Sequence, residues 1–250
     1  MTLPASYTLL RAGAVRAAIR RDLAAELGEW LLAPRFALPP GAEPLPSGRG
    51  PAYRVRLADG QGVIVRICRR GGALARVIRE TYVGLRPRPL RELALTAEVR
   101  RRGVAAAEVL AARVRGRLVY RGAVVTAEVP GAATLLDALR HVPDAAGRVR
   151  LAASAGRAIA VLHEAGVFHA DLNLTNILVH PGASGVDIAL VDFDRARLGP
   201  PPLPVAARRQ NLRRLARSLA KHDPRGELAG RDERRAFAMA YGAGEGACGS

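Results

Sequence analysis

Two short segments carry side chains suited to handling a phosphate. The first, VFHADLNLTNILV at 167–179, sets His169, Asp171 and Asn176 in the order HxDxxxxN; the second, ALVDFDRARL at 189–198, sets Asp192 directly after a buried-strand pattern. Phosphoryl transfer needs a carboxylate to receive the proton of an attacking hydroxyl, and oxygen ligands for the Mg²⁺ that neutralises the phosphates. Asp171 fits the base, and Asn176 and Asp192 fit the metal. A calcium loop starting at Asp171, Asn173 and Thr175 fails, because Asn176 stands where a glycine is required and Gly182 where the last acidic ligand belongs. His163, His169 and His180 lack a zinc spacing. His169 is instead expected to hold the loop backbone, and His163 to be a hydrogen-bonding residue of a helix.

The spacing follows the protein-kinase catalytic loop and DFG arrangement, which directs attention upstream. SGRG at 47–50 precedes a strand pattern, where Gly48 and Gly50 could let backbone N–H groups approach phosphates; taken alone, it also reads as an ordinary turn. The strand VIVR at 63–66 occupies the place of the kinase VAIK, whose lysine contacts phosphates, yet the sole lysine of the chain is Lys221. Arg66 must fill that role, unless it is a solvent-facing strand arginine. Guanidinium binds phosphate oxygens bidentately but needs more room than an ammonium. Glu92 in PLRELALTAEV is the first choice to orient it and Glu98 the second, against the default of solvated helical charges. GxxxxGK[ST] is absent, which excludes a Walker-type enzyme.

These residues require elements to position them. The first thirty residues read as helical through Leu23, Leu27 and Trp30, and Pro34, Pro39, Pro40, Pro44 and Pro46 then make a loop. Tyr53 to Leu57 and Val63 to Ile67, turning at Asp59 and Gly60, predict an antiparallel hairpin. A helix is expected over 90–102 with Gly103 as its stop, and a second hairpin over 109–129 turning at Gly116. Beyond Pro130 and Gly131 come a short helix at Leu135 to Leu139, a longer one through Leu151 and Leu162 ending at Gly166, and strands at 177–179 and 188–191. A last helix runs through Leu212 and Leu219 before a Gly-rich end expected to fray. The expected lobes are 1–130, with the phosphate-binding loop, strands and orienting helix, and 131–250, with the catalytic and metal-binding loops.

HADLNLTN and VDFD, with GRGPAYRV, RRGG at 69–72, RELAL and NLRRLARSLAK at 211–221, resemble the 3-deoxy-D-manno-octulosonic acid (Kdo) kinase family of lipopolysaccharide assembly, within the protein-kinase-like superfamily. The resemblance spans roughly residues 45–222. It implies an α+β, bilobal protein-kinase-like fold, with a small antiparallel-sheet N-lobe and a mainly helical C-lobe. It implies ATP-dependent phosphorylation of the Kdo 4-hydroxyl on a lipid A precursor at the cytoplasmic face of the inner membrane. Carried over, Asp171 is the base, Asn176 and Asp192 hold Mg²⁺, and Arg66 with Glu92 grips the nucleotide. Asp194 replaces the DFG glycine, which makes a large flip of that loop less favourable; Asp194 assists a metal or positions Arg195 or Arg197.

After Asp192 only 195–211, containing PPPLP, precedes the last helix, and no long activation loop ending in APE follows. A small or lipid-linked acceptor is therefore favoured over a polypeptide. The chain has 250 residues, 49% of them hydrophobic, which suffices for a globular core. Its 39 basic against 22 acidic residues give +17 at pH 7, a balance that arises from codon bias or from anionic partners. Arg69, Arg70, Arg76, Arg79, Arg86, Arg88 and Arg91 would draw the protein to an anionic membrane by about 1 kcal/mol each. Cys68 and Cys248 form no CxxC pair, no apolar run approaches the roughly 18 residues of a membrane span, and the opening lacks a signal-peptide core. A cytosolic or membrane-peripheral protein is expected, with no obligate protein partner. The rivals are an atypical small-molecule or protein kinase of the same fold, and a basic nucleic-acid-binding pseudokinase. Only 4% of residues are aromatic, which provides few stacking platforms, so no nucleic-acid partner is expected.

Overall fold

A computed structural model of the chain describes residues 3–45, 51–68, 82–83, 87–182 and 185–246. Two compact units result, one from Met1–Ala97 with Glu108–Glu128, the other from Glu98–Ala107 with Val129–Ser250.

The first unit is built on an antiparallel sheet of β1 (Tyr7–Ala12), β2 (Val15–Arg20), β3 (Glu43–Leu45), β4 (Ala52–Arg56), β5 (Gly62–Ile67), β6 (Tyr82–Val83), β7 (Val109–Gly116) and β8 (Val119–Ala127). The order is β1-β2-β7-β8-β5-β4-β3, with β6 also on β8. Both expected hairpins are present: Val55 pairs with Val63 across the Asp59–Gly60 turn, and Arg115 with Arg121 across the turn after Gly116. Alternation gives the sheet two faces. Ala17, Ile19, Val63, Val65, Ala111 and Val125 pack with Leu27 and Leu31 of helix α1 (Ala24–Leu32), whereas Ala18, Ala112, Val114 and Val124 pack with Leu93 of helix α2 (Arg88–Arg101). Leu93 and Leu31 are fully buried, each contributing roughly 1.5–3 kcal/mol of burial free energy.

The N-terminal expectation is corrected. Helix starts only after residue 20, because Val15, Ala17 and Ile19 fall buried on one face of β2, Ala18 is buried on the other, and the two-residue Gly13–Ala14 turn returns the strand on itself. Alanine and arginine between them gave the segment a helical look that pairing overrides. The Pro-rich stretch stays non-helical and ends in β3, an edge strand, where proline costs no ladder hydrogen bond.

Helix α2 ends as expected, with Gly103 at φ +83° and its N–H donating to Arg100 O at 2.9 Å. The segment 98–107 belongs to the second unit rather than the first. Val99, Val104 and Ala106 enter the second core, and the backbone of 105–107 exchanges hydrogen bonds with Leu190 at 2.9 and 3.0 Å.

The second unit contains β9 (Ala133–Thr134), α3 (Leu135–His141), α4 (Ala145–Glu164), β10 (Val167–Phe168), β11 (Ile177–Gly182), β12 (Gly185–Leu190), β13 (Arg197–Leu198), α5 (Val205–His222) and α6 (Arg231–Gly246). Thr134 caps α3 by accepting the Asp137 N–H at 3.1 Å, and Asp144 caps α4 through the Gly147 N–H. β11 lies between β12 and β9, and β10 pairs with β13. The C-terminal expectation is also corrected: 231–246 is a helix, and it packs tightly on α4. A Cβ on Gly156 would meet Phe237 O at 2.5 Å, so the close approach depends on a glycine.

Candidate active site

In the first unit, Val63 and Val65 face α1, so alternation turns Arg66 toward the face that carries α2. There the Arg66 guanidinium pairs with Glu92, a carboxylate only 4% exposed. A buried acid of this kind fixes the guanidinium, because separating the pair would strand a charge in a low-dielectric setting. Glu98 is excluded as that partner. It binds Arg101 at 2.6 Å and Arg102 at 2.9 Å, and these hydrogen bonds pull its carboxyl down to about 2. Gly48 and Gly50, like Arg69, Arg70, Arg76, Arg79, Arg86 and Cys248, lie outside the described residues. Cys68 is buried in the core under α2.

In the second unit, Asp171 begins a loop between β10 and β11 that returns at Asn176. Asn173 Oδ1 accepts the N–H groups of Thr175 and Asn176 at 2.9 and 3.1 Å, an Asx-type turn that folds the loop back. Asn176 Nδ2 then donates to Asp171 O at 2.8 Å and reaches Asp171 Oδ2 at 3.5 Å. The base candidate and a metal-ligand candidate are thereby brought side by side. With Nδ2 committed to Asp171, the amide oxygen is the atom of Asn176 suited to a cation.

The Val191 N–H donates to Asn176 O at 3.1 Å, which sets Asp192 next to the end of that loop. Asp192 has φ +68°, and its Oδ1 is buried. The left-handed residue of the DFG-like turn is therefore Asp192, not Asp194; aspartate tolerates that region better than most residues. Phe193 beside it is 1% exposed and Asp194 is 9% exposed. An amide oxygen and a carboxylate are hard donors that suit Mg²⁺.

His169 is fully buried and ties the two loops together. Its Nδ1 accepts the Asp171 N–H at 3.2 Å and its Nε2 faces Val191 O at 2.9 Å, an arrangement that requires the neutral ring with hydrogen on Nε2. Burial pushes its pKa down, despite opposing contributions from the Val191 carbonyl, Asp192 and Asp171. The backbone-holding role expected of His169 matches this geometry.

Two residues of NLRRLARSLAK, Asn211 and Ser218, hold the loop although the motif alone assigns them no role. Asn211, fully buried on α5, accepts the His169 N–H at 3.1 Å and donates to His169 O at 2.7 Å. Ser218 Oγ accepts the Leu174 N–H at 3.2 Å. Their seven-residue spacing puts both on one helix face, which was the available signal. His163 supports Asn211 from behind, with Nε2 at 3.2 Å from Asn211 Oδ1 and Nδ1 at 2.9 Å from the Tyr241 hydroxyl of α6.

The segment after the DFG-like turn is short and pinned. β13 pairs with β10, Leu203 N–H donates to His163 O at 2.7 Å, and Arg208 joins Leu203 O and Glu164 at 2.7 Å each. An apolar cavity of about 810 Å³, walled by residues such as Leu139, Leu212, Leu219 and Phe237, contains none of Asp171, Asn176 and Asp192.

The lipopolysaccharide kinase (Kdo/WaaP) family model matches residues 46–241. A 3-deoxy-D-manno-octulosonic acid kinase of Xanthomonas campestris pv. campestris (strain B100) is 38% identical over 208 residues, covering 79% of this chain and 79% of that one. The like-named proteins of Xylella fastidiosa (strain M12) and Stenotrophomonas maltophilia (strain R551-3) are 36% and 35% identical, covering 70% and 79% of this chain and 68% and 79% of theirs. Among solved structures, WaaP in complex with acyl carrier protein aligns with TM-score 0.55 at 21% identity, over 80% of this chain and 78% of that one. The protein-kinase-like α+β fold follows from that likeness.

Proposed function

The chain belongs to the lipopolysaccharide kinase (Kdo/WaaP) family and is a sugar kinase, and from that premise we propose that it moves the γ-phosphoryl group of ATP to the 4-hydroxyl of a Kdo residue on a lipid A precursor. The observation that carries the reading is the Asp171–Asn176 pair, held in a loop whose backbone is fastened by buried His169 and Asn211. The relatives named for Kdo supply the substrate class.

In this reading the acceptor oxygen bonds to the γ-phosphorus as the bond to the β,γ-bridging oxygen breaks, ADP leaves, and Asp171 takes the hydroxyl proton. Asn176 keeps Asp171 oriented toward that proton. Asn176 and Asp192 would hold Mg²⁺, which when bound neutralises phosphate charge. Glu92 holds Arg66 for the nucleotide phosphates, with Gly48 and Gly50 proposed as their backbone cradle. The proposed place of work is the cytoplasmic face of the inner membrane, where the protein sits peripherally on an anionic surface; among the described residues no helix is long and apolar enough to cross a membrane.

The test is mass spectrometry of acceptors incubated with protein and Mg·ATP: Kdo-lipid A precursor, the same lipid without Kdo, and a generic protein-kinase substrate. One added phosphate on the Kdo lipid alone is expected. Phosphate on the peptide, or on the lipid lacking Kdo, would replace the proposed acceptor.

A further inference from the structure

The turn joining β7 to β8 holds two large apolar side chains out in solvent. Leu118 is 57% exposed and Val119 58%, and among the described residues no other two large apolar side chains this exposed are neighbours in the chain. Single exposed leucines need no explanation, but an adjacent pair on a convex turn does.

The turn is fixed from both sides. Gly116 lies at φ +103°, where a Cβ would meet Val119 O at 2.2 Å, so the turn closes only on a glycine. Its N–H donates to Ala14 O at 3.0 Å and its carbonyl accepts from Arg16 Nη2 at 3.1 Å, which stitches this turn to the Gly13–Ala14 turn between β1 and β2. On the other side Tyr120, the residue after Val119, is buried in the core under α2, and its hydroxyl accepts the Arg88 N–H at 3.1 Å. A built scaffold therefore presents Leu118 and Val119.

Positive charge surrounds the pair. Register sets Ala12, Val15, Arg115 and Arg121 in one row across β1, β2, β7 and β8, so both turns lie at the same end of the sheet. Arg11, Arg115 and Arg117 are exposed there, and neither 7–20 nor 109–127 contains an acidic residue. Arginine stems lie along apolar surface while their guanidinium groups stay among polar ones. An apolar tip flanked by cations has the composition of a segment seated in a bilayer interface, whereas a convex turn offers no concavity to a small molecule.

We propose that the β7–β8 turn is a membrane-contact tip, with Leu118 and Val119 entering the interface of an anionic bilayer and Arg11, Arg115 and Arg117 meeting the lipid phosphates around them. Anionic lipid is favoured over a protein groove because it answers both the apolar pair and the charge, and because the proposed acceptor is itself lipid-linked. This contact surface rests on the peripheral membrane location proposed above, and it does not depend on which hydroxyl receives the phosphate.

Flotation of the full chain with phosphatidylcholine vesicles, with and without phosphatidylglycerol, compares wild type with two turn variants, Leu118→Ser/Val119→Ser and Arg115→Gln/Arg117→Gln. An exposed charge-matched pair on α5, Arg213→Gln/Arg217→Gln, is the control. Wild type should float with the anionic vesicles, both turn variants should need about tenfold more lipid, and the control should stay within about twofold of wild type. Leu118→Trp reads insertion itself: Trp30 is the sole native tryptophan, so the emission gained should shift blue on vesicles and be quenched by brominated acyl chains. Thermal unfolding checks each fold, and the quenching decides if the serine variant does not fold. Wild-type flotation with unchanged turn variants, a control weakened as much as they are, or an added indole that floats unquenched would overturn the tip and leave the peripheral location standing. Wild type bound to no vesicle would overturn both and assign the apolar pair to a protein partner. Transfer to the Kdo lipid is read separately by mass spectrometry, so its failure is distinct from that of the tip.

Discussion

Asp171 is oriented by an amide, Asn176, and its backbone N–H by a buried imidazole, His169. The titration of His169 makes a prediction of definite sign. Because burial lowers its folded pKa below the ordinary 6.5, this histidine contributes stability in full above that value, and the contribution is lost as pH falls through the folded value. His169→Gln keeps a donor for Val191 O but cannot take the proton. Thermal midpoints between about pH 7 and pH 5 should fall less steeply in His169→Gln than in wild type; parallel curves would contradict the assignment. Arg66→Lys makes a second prediction. The shorter reach and point charge of lysine should raise the KM for ATP several-fold while kcat changes less, since buried Glu92 is placed to meet the Arg66 guanidinium. The candidate side chains of the loop were legible in the sequence because HxDxxxxN packs a carboxylate, an amide and their spacing into one loop. Glu92 and Glu98 were separable only by structure, since both sit on the same helix and only the buried one meets Arg66.

Among elements, α5 is the clamp on the loop and α6 the brace behind it. Asn211→Ala removes both hydrogen bonds to the His169 backbone and leaves His163 Nε2 facing a void, so a loss of about 2–4 kcal/mol is expected in denaturant unfolding. Ser218→Ala removes one acceptor at the partly buried end of the loop and should cost about 1 kcal/mol. The reverse ranking would show that the loop is held elsewhere. Gly156→Val should separate α6 from α4, lower the unfolding midpoint and weaken the His163–Tyr241 contact. Neither α6 nor the N-terminal hairpin was legible in the sequence. Alanine and glycine specify close approach rather than a visible apolar stripe, and alternation in β1 and β2 is blurred by alanines that serve equally in either structure. The hairpins at β4–β5 and β7–β8 were legible because β-branched residues and turn glycines agree on one answer.

For the whole molecule, the family assignment gives the +17 charge a context without fixing its use. Five of the arginines first singled out fall outside the described residues, whereas Arg115 and Arg121 come together only through cross-strand register, which no linear reading reveals. The division of the chain shows the same limit: 98–107 joins the second unit through backbone bonds to Leu190, a strand distant in sequence. The proposed reaction makes Asp171 the general base of a sugar kinase. Single-turnover transfer from labelled Mg·ATP to Kdo-lipid A precursor reads that role. Wild type should transfer one phosphate, and Asp171→Asn, with an unchanged unfolding midpoint, should be slower by about 10²–10⁴-fold. Transfer by a folded Asp171→Asn at the wild-type rate would contradict the account.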